Sequence, residues 1–220
     1  MGAYYQFSKS IDDSSTFGGA GNTVAQNWRD LAAERGLSSF DRRHSFDMNW
    51  VLTSPVGTAG SRIAADSRTG RLLKDWQLSG SLTVQTGTPL TARVLGSSAI
   101  ALAQTGGVGS SRAGATGLDL SSSKDFFNLA AFTVPPSGEF GNAGRNTITG
   151  PDLFAVNLAF GRWFQLDESR RRLEFRIEAK NVFNVVSFTN INTVVNATNY
   201  GLPISAAPMR ILDALVRFRF

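Results

Sequence analysis

Alternation with a period of two runs through this chain, and helical periodicity is scarce. In "FDMNWVL" (46–52), Phe46, Met48, Trp50 and Leu52 share one face of an extended backbone, and Asp47, Asn49 and Val51 share the other. In "WQLSGSLTVQT" (76–86), Trp76, Leu78, Gly80, Leu82 and Val84 oppose Gln77, Ser79, Ser81, Thr83 and Gln85. "LFAVNLAFG" sets Phe154, Val156, Leu158 and Phe160 against smaller or polar residues. "RRLEFRIEAK" is sharper: Leu173, Phe175, Ile177 and Ala179 on one side, Glu174, Arg176, Glu178 and Lys180 on the other. The last segment alternates in the same way, with Leu212, Ala214, Val216, Phe218 and Phe220 opposite Asp213, Leu215, Arg217 and Arg219. "AYYQFSKS" at the start is a weaker strand with Tyr5 and Phe7 on its apolar side. The pattern predicts about six strands, several longer than the usual 5–6 residues.

The connections alternate in length. "DESR" (167–170) predicts a tight turn and 55–71 a moderate one, whereas 11–41, 88–151 and 189–208 are long and rich in Gly, Ser, Asn and Thr. Within the first long stretch, "NWRDLAAERG" predicts a short helix stopped by Gly36. Long loops without structure of their own argue against a compact soluble domain, but long loops on every second connection are normal for an outer-membrane barrel.

A soluble sandwich buries its apolar face and a membrane barrel turns it to lipid; period alone does not separate them. Strand length and loop asymmetry favour the barrel, since strands of about ten residues tilted by about 45° match a bilayer. So do aromatic residues near predicted strand ends (Trp50, Trp76, Phe164, Phe188, Phe220). On this reading Phe46, Met48, Trp50, Leu52, Leu78, Leu82, Val84, Phe154, Val156, Leu158, Phe160, Leu173, Phe175 and Ile177 face lipid. Glu174, Arg176, Glu178, Lys180, Arg217 and Arg219 face the lumen. If "DESR" is periplasmic, the chain rises through 171–187, descends through 209–220, and all three long loops are extracellular. The fold class expected is an all-β, antiparallel up-and-down barrel segment in a bacterial outer membrane.

Composition narrows the alternatives. The 220 residues contain no cysteine and one histidine, which removes disulfides, thiolate metal sites and two-histidine metal motifs. The net charge of +5 comes from basic residues scattered at segment ends, not clustered, so a nucleic-acid partner is not expected. No run of about 18 apolar residues predicts a transmembrane helix. The opening "MGAYYQFSKS" lacks the features of a signal peptide, and Gln6 stands where a myristoylation motif needs Ser or Thr. On this ground alone either the protein is cytosolic or the chain is a piece of something longer.

An ordered set of segments, "YYQFSKSIDDSS", "AERGLSSFDRRHSFDMNWVLTSPVG", "WQLSGSLTVQTGTPLT", "FNLAAFTVPPSGEFGNAGRNTITGPDLFAVNLAFGRWF" and "RLEFRIEAKNVFNVVSFTNIN", then Tyr200-Gly201 and the terminal strand, resembles the carboxy-terminal barrel of TonB-dependent outer-membrane receptors. The likeness is to the Oar-like group, which carries an N-terminal carboxypeptidase-regulatory-like domain. It implies a large barrel closed around an N-terminal plug, importing a scarce ligand with energy from the inner-membrane TonB complex. Plug, TonB box and most strands would lie outside these residues, making the whole chain, 1–220, a barrel fragment. The resemblance also implies that Ala214, Val216, Phe218 and Phe220 form the signal read by the barrel-assembly machinery.

Other motifs carry less. The alternating charges of Glu174, Arg176, Glu178 and Lys180 fit cross-strand ion pairs with Arg217 and Arg219 better than an ion pathway. Asp41, Arg42, Arg43 and His44 fit the organisation of a strand's start better than a ligand contact at the outer mouth. "SSSK" (121–124) has the spacing of a serine acyl-enzyme without its companion motifs. Asn196-Ala197-Thr198 is a glycosylation sequon without weight in a bacterial protein. "GGAG" and "GGVG" do not have phosphate-loop spacing, and 138–151 reads as turn chemistry before a strand. No catalytic constellation, cofactor or metal is expected. A passive porin or adhesin barrel, and a soluble lectin-like module, remain as alternatives.

Overall fold

The computed structural model describes residues 1–14, 25–27, 29–56, 67–95, 111–122, 124–136, 138–166 and 171–220. Its frame is one six-stranded antiparallel sheet in which the strands neighbour one another in chain order. They are β1 (Gly2–Phe7), β2 (His44–Thr53), β3 (Trp76–Gln85), β4 (Leu153–Gln165), β5 (Arg172–Lys180) and β6 (Ile211–Arg219). Each coincides with an alternating segment of the sequence, because only an extended chain separates such residues onto two faces. β4, at 13 residues, would rise about 30 Å through a bilayer if tilted by about 45°.

The register carries the segregation across the whole wall. Tyr5 lies opposite Phe46, Phe46 opposite Val84, and Val84 opposite Phe154. Farther along, Leu78 lies opposite Phe160, Phe160 opposite Ile177, and Ile177 opposite Ala214. A slip of one residue between any pair would put apolar residues on the polar side.

The meander puts the connections 8–43, 86–152 and 181–210 at one end, the loop end, and 54–75 and 166–171 at the other, the turn end. The turn expected at 167–170 lies outside the described residues, as do "GGAG", "GGVG" and Ser123 of "SSSK". At the turn end a six-residue helix, α1 (Arg68–Leu73), is capped by Ser67, whose hydroxyl accepts from Gly70 N.

Two expectations are corrected here. β5 stops at Lys180 and does not continue to 187, because Asn181 takes a left-handed conformation (φ 49°). The Asn181 side chain then accepts from Val185 N at 3.0 Å and donates to Val185 O at 2.9 Å, closing a tight turn. The helix expected around residue 31 is a single 3-10 turn, Leu31–Glu34, and Gly36 begins a short strand beyond it.

The long loops have structure of their own. They contain four two-stranded ladders: 11–12 with 36–37, 89–90 with 148–149, 114–115 with 132–133, and 188–191 with 203–206. Ala92, Ala113, Phe127, Ala131, Phe132, Ala143, Ile148 and Ile191 bury together as a hydrophobic core between them. The only such cluster among the described residues therefore sits in this loop-built cap and not against the sheet.

Candidate functional site

The sheet has two chemically distinct faces. The fourteen residues expected to face lipid all lie on one of them, the outer face, and only Val156 among them is buried. Aromatic side chains gather toward its ends. Tyr5 and Phe7 surround His44 at the loop end, with the Tyr5 hydroxyl 2.8 Å from His44 Nδ1. Toward the turn end Trp76 stacks on Phe160 (centroids 4.4 Å apart) and Phe164 meets Phe175 edge-on. Two expected end-of-strand aromatics lie elsewhere. Trp50 sits inside β2, over Gly80, and Phe188 belongs to a loop ladder, edge-on to Phe126.

The opposite, inner face is a hydrogen-bonded polar surface. Thr83 Oγ1 donates to Asp47 at 2.9 Å, Gln85 Nε2 to Ser45 Oγ at 3.1 Å, and Asn157 Nδ2 to Ser81 Oγ at 3.1 Å. Glu174 pairs across the ladder with Arg217 (3.6 Å), Lys180 with Asp213 (3.3 Å), and Arg176 with Glu178 on its own strand (2.8 Å). Arg219 departs from the expected ion pairing. It stands opposite Arg172, and its guanidinium lies over the Trp163 ring, 5.3 Å from the centroid. A cation directly opposite a like charge is unfavourable, and the ring offers it an alternative. The inner face is not uniformly polar, since Val51 and Leu215 are both exposed on it.

A cavity of about 750 Å³ opens on the inner face. Ser79, Ser81, Asn157, Arg176, Glu178 and Lys180 contribute polar groups, and Pro208 and Met209 overhang it from the loop end. The arrangement can hydrogen-bond a polar surface lying along the wall.

At the loop end, polar residues that the alternation gave no reason to notice join two loops. Arg112 and Glu34, each 6% exposed in the side chain, pair at 3.3 Å. Gln26 lies between them, accepting from Arg112 N at 2.7 Å and donating to Gly141 O at 2.9 Å, while its own N–H donates to Glu34 at 2.9 Å. Arg145 reaches from the second loop to Asp12 and to Glu34 O in the first. The third loop joins through Arg93 N to Thr193 O (3.0 Å) and the Tyr200 hydroxyl, which donates to Leu129 O (3.3 Å). Burial pushes the Tyr200 phenol up to about 12. On the exposed rim, the backbone N–H and hydroxyl of Ser121 hold the Asp119 carboxyl below its ordinary value. Asp41 is buried and accepts from Ser10 N at 2.6 Å, while Arg42 donates to Thr86 O at 3.2 Å. That segment does organise the start of β2.

Ala214, Val216 and Phe218 share the outer face of β6, and Phe220 follows it, 95% exposed and 6.1 Å from the Phe218 ring. Among the described residues, β6 is paired on one edge only, to β5, and β1 on one edge only, to β2.

Residues 1–213 match the family described as outer membrane beta barrel domain. No curated protein and no solved structure matches the chain. The chain belongs to the outer membrane beta barrel domain family, and its place is the bacterial outer membrane.

Proposed function

We propose that this outer-membrane β-barrel protein is the carboxy-terminal wall of a TonB-dependent receptor of the Oar-like kind, and that the whole receptor imports a scarce ligand past a plug. The observation that carries the reading is the sheet itself. It is apolar on one face, polar and ion-paired on the other, without a partner strand along either edge among the described residues, and topped at one end by three interlocked loops. Six strands fall short of the roughly eight in the smallest closed barrels, so the edges of β1 and β6 pair with further strands of the same wall. The ordered motifs from "YYQFSKSIDDSS" to the terminal strand support the receptor over a passive pore. The outer face meets acyl chains, the inner face meets the plug, and the cap meets the outside. The TonB complex acts through the N-terminal part, the assembly machinery reads Ala214, Val216, Phe218 and Phe220, and the wall carries no catalysis.

The test is transport by the full-length protein in cells with and without TonB. Growth on a scarce ligand that requires both the receptor and TonB supports the proposal. Ion conductance or solute uptake independent of TonB would identify a passive porin, and recovery without detergent as a soluble sugar-binding protein would identify the lectin-like module.

A further inference from the structure

One cation interrupts the outer face. Arg162 lies between Trp76 and Phe175 in register, on the side otherwise given to apolar residues. Its guanidinium lies 5.3 Å from the Trp76 ring centroid and 4.7 Å from that of Phe164, and it donates to Arg71 O of α1. Trp76 Nε1 donates to Leu72 O at 2.7 Å, so α1 is held against the same face. Leu72 and Leu73 are exposed on this helix, and Arg68 and Lys74 flank them. Among the described residues no carboxylate pairs with Arg162, Arg68 or Lys74.

Exposed leucines on a short helix, with a tryptophan and several cations beside them, make a surface suited to a membrane boundary, where apolar groups enter the acyl region and cations meet headgroups. A charge on the outer face of a barrel costs most at the bilayer midplane and little near the headgroups, which fits the place of Arg162 at the turn end of β4. We propose that this surface binds the phosphate of an anionic glycerophospholipid in the periplasmic leaflet. Arg162 is the central contact, Lys74 and Arg68 lie beside it, and Leu72 and Leu73 rest among the acyl chains. The aromatic rings hold the guanidinium at the leaflet boundary and restrict its conformers, so that little order is lost when a phosphate arrives. The site rests on the outer face being the lipid face, with the turn end periplasmic.

The experiment is native mass spectrometry of the full-length barrel, delipidated in detergent and titrated with phosphatidylglycerol or phosphatidylcholine. Wild type should retain phosphatidylglycerol preferentially. Arg162→Gln should lower that retention about fivefold, the size expected for one cation at an anionic surface, and Arg162→Lys should restore part of it. Arg68→Gln with Lys74→Gln, both away from the strands, should weaken retention without disturbing the wall. Equal retention of the two lipids, or unchanged phosphatidylglycerol retention in both sets of variants, would overturn the site and leave Arg162 with a packing role only. Arg162-dependent retention of lipopolysaccharide in place of phosphatidylglycerol would also overturn it, by putting this end in the outer leaflet. A nitroxide at position 177 separates the two premises: acyl contact there without phospholipid preference removes the headgroup site alone, whereas no acyl contact removes the lipid-facing assignment itself.

Discussion

Trp50 and Gly80 occupy opposed positions on β2 and β3, and each fits because of the other. A Cβ on Gly80 would come within 2.3 Å of the Trp50 ring and 2.9 Å of Asn157 O, so the indole lies across the bare backbone. Gly80→Ala should cost about 1–3 kcal/mol, as overpacking does, measured by unfolding of the full-length barrel in vesicles. Trp50→Leu should relieve part of the loss, with the pair departing from additivity by about 0.5 kcal/mol or more. Tyr200 makes a prediction in pH. Its pKa is raised from 10.0 to about 12 by burial, so the folded cap favours the neutral phenol. Its contribution is fully present below pH about 10 and is lost as pH rises through about 12. Hydrogen exchange in residues 127–132 should therefore accelerate across that window, and Tyr200→Phe should remove this part of the acceleration. Nothing in the sequence signals this burial, since Tyr200 stands in a polar run of Asn, Thr and Gly. The Trp50–Gly80 pair is half legible: both belong to the apolar face of their strands, but only the register brings them opposite.

β5 and the loop cap hold phenylalanines in different surroundings, and the same truncation should separate them. Phe175 on β5 is 45% exposed on the outer face, whereas Phe132 in the cap core is 6% exposed. Phe132→Ala should cost about 3–5 kcal/mol, the usual penalty for a core phenylalanine. Phe175→Ala should fall below that range, because acyl chains fill the space that a rigid core would leave empty. Phe175 stands opposite Arg162 near the turn end, so Phe175→Arg should cost less than the about 2–4 kcal/mol of an arginine at the midplane, Ile177→Arg, farther from that end, more, and Glu178→Gln on the inner face least. In the cap, Glu34→Ala leaves Arg112 buried without its partner, a change that costs about 3–5 kcal/mol. It should expose the first two long loops to protease on intact cells while the wall stays assembled; unchanged protection would show that Arg112 and Glu34 do not hold the loops together. All six wall strands are legible because a period of two survives any context that keeps one face apolar. The cap is not, because its core takes Ala92, Ala113, Ile148 and Ile191 singly from distant segments, and single buried residues leave no period. The end of β5 escapes the pattern for a local reason: "NVFNVV" continues the apolar content of a strand, but Asn181 and Asn184 both turn left-handed.

For the molecule as a whole, family membership and a sheet with two unlike faces agree on an outer-membrane wall. The assembly role proposed for Phe218 and Phe220 has one measurable consequence. Deleting Phe220 from the full-length protein, or changing Phe218 to Ala, should lower the amount of assembled barrel and increase periplasmic degradation; unchanged surface display in both variants would remove the assembly role. The motifs that point to a TonB-dependent receptor are readable in the sequence. The ligand of the proposed receptor is not, because its selectivity would reside in the cap and in a plug, and neither leaves a pattern along the wall. If one face of this sheet meets lipid, a nitroxide scan of positions 173–179 along β5 will show it. In the full-length barrel in vesicles, labels at 173, 175, 177 and 179 should collide readily with oxygen dissolved among the acyl chains, and labels at 174, 176 and 178 should not. Loss of that alternation, or rigid, oxygen-shielded labels at 175 and 177, would mean that the apolar face packs against protein and not against lipid.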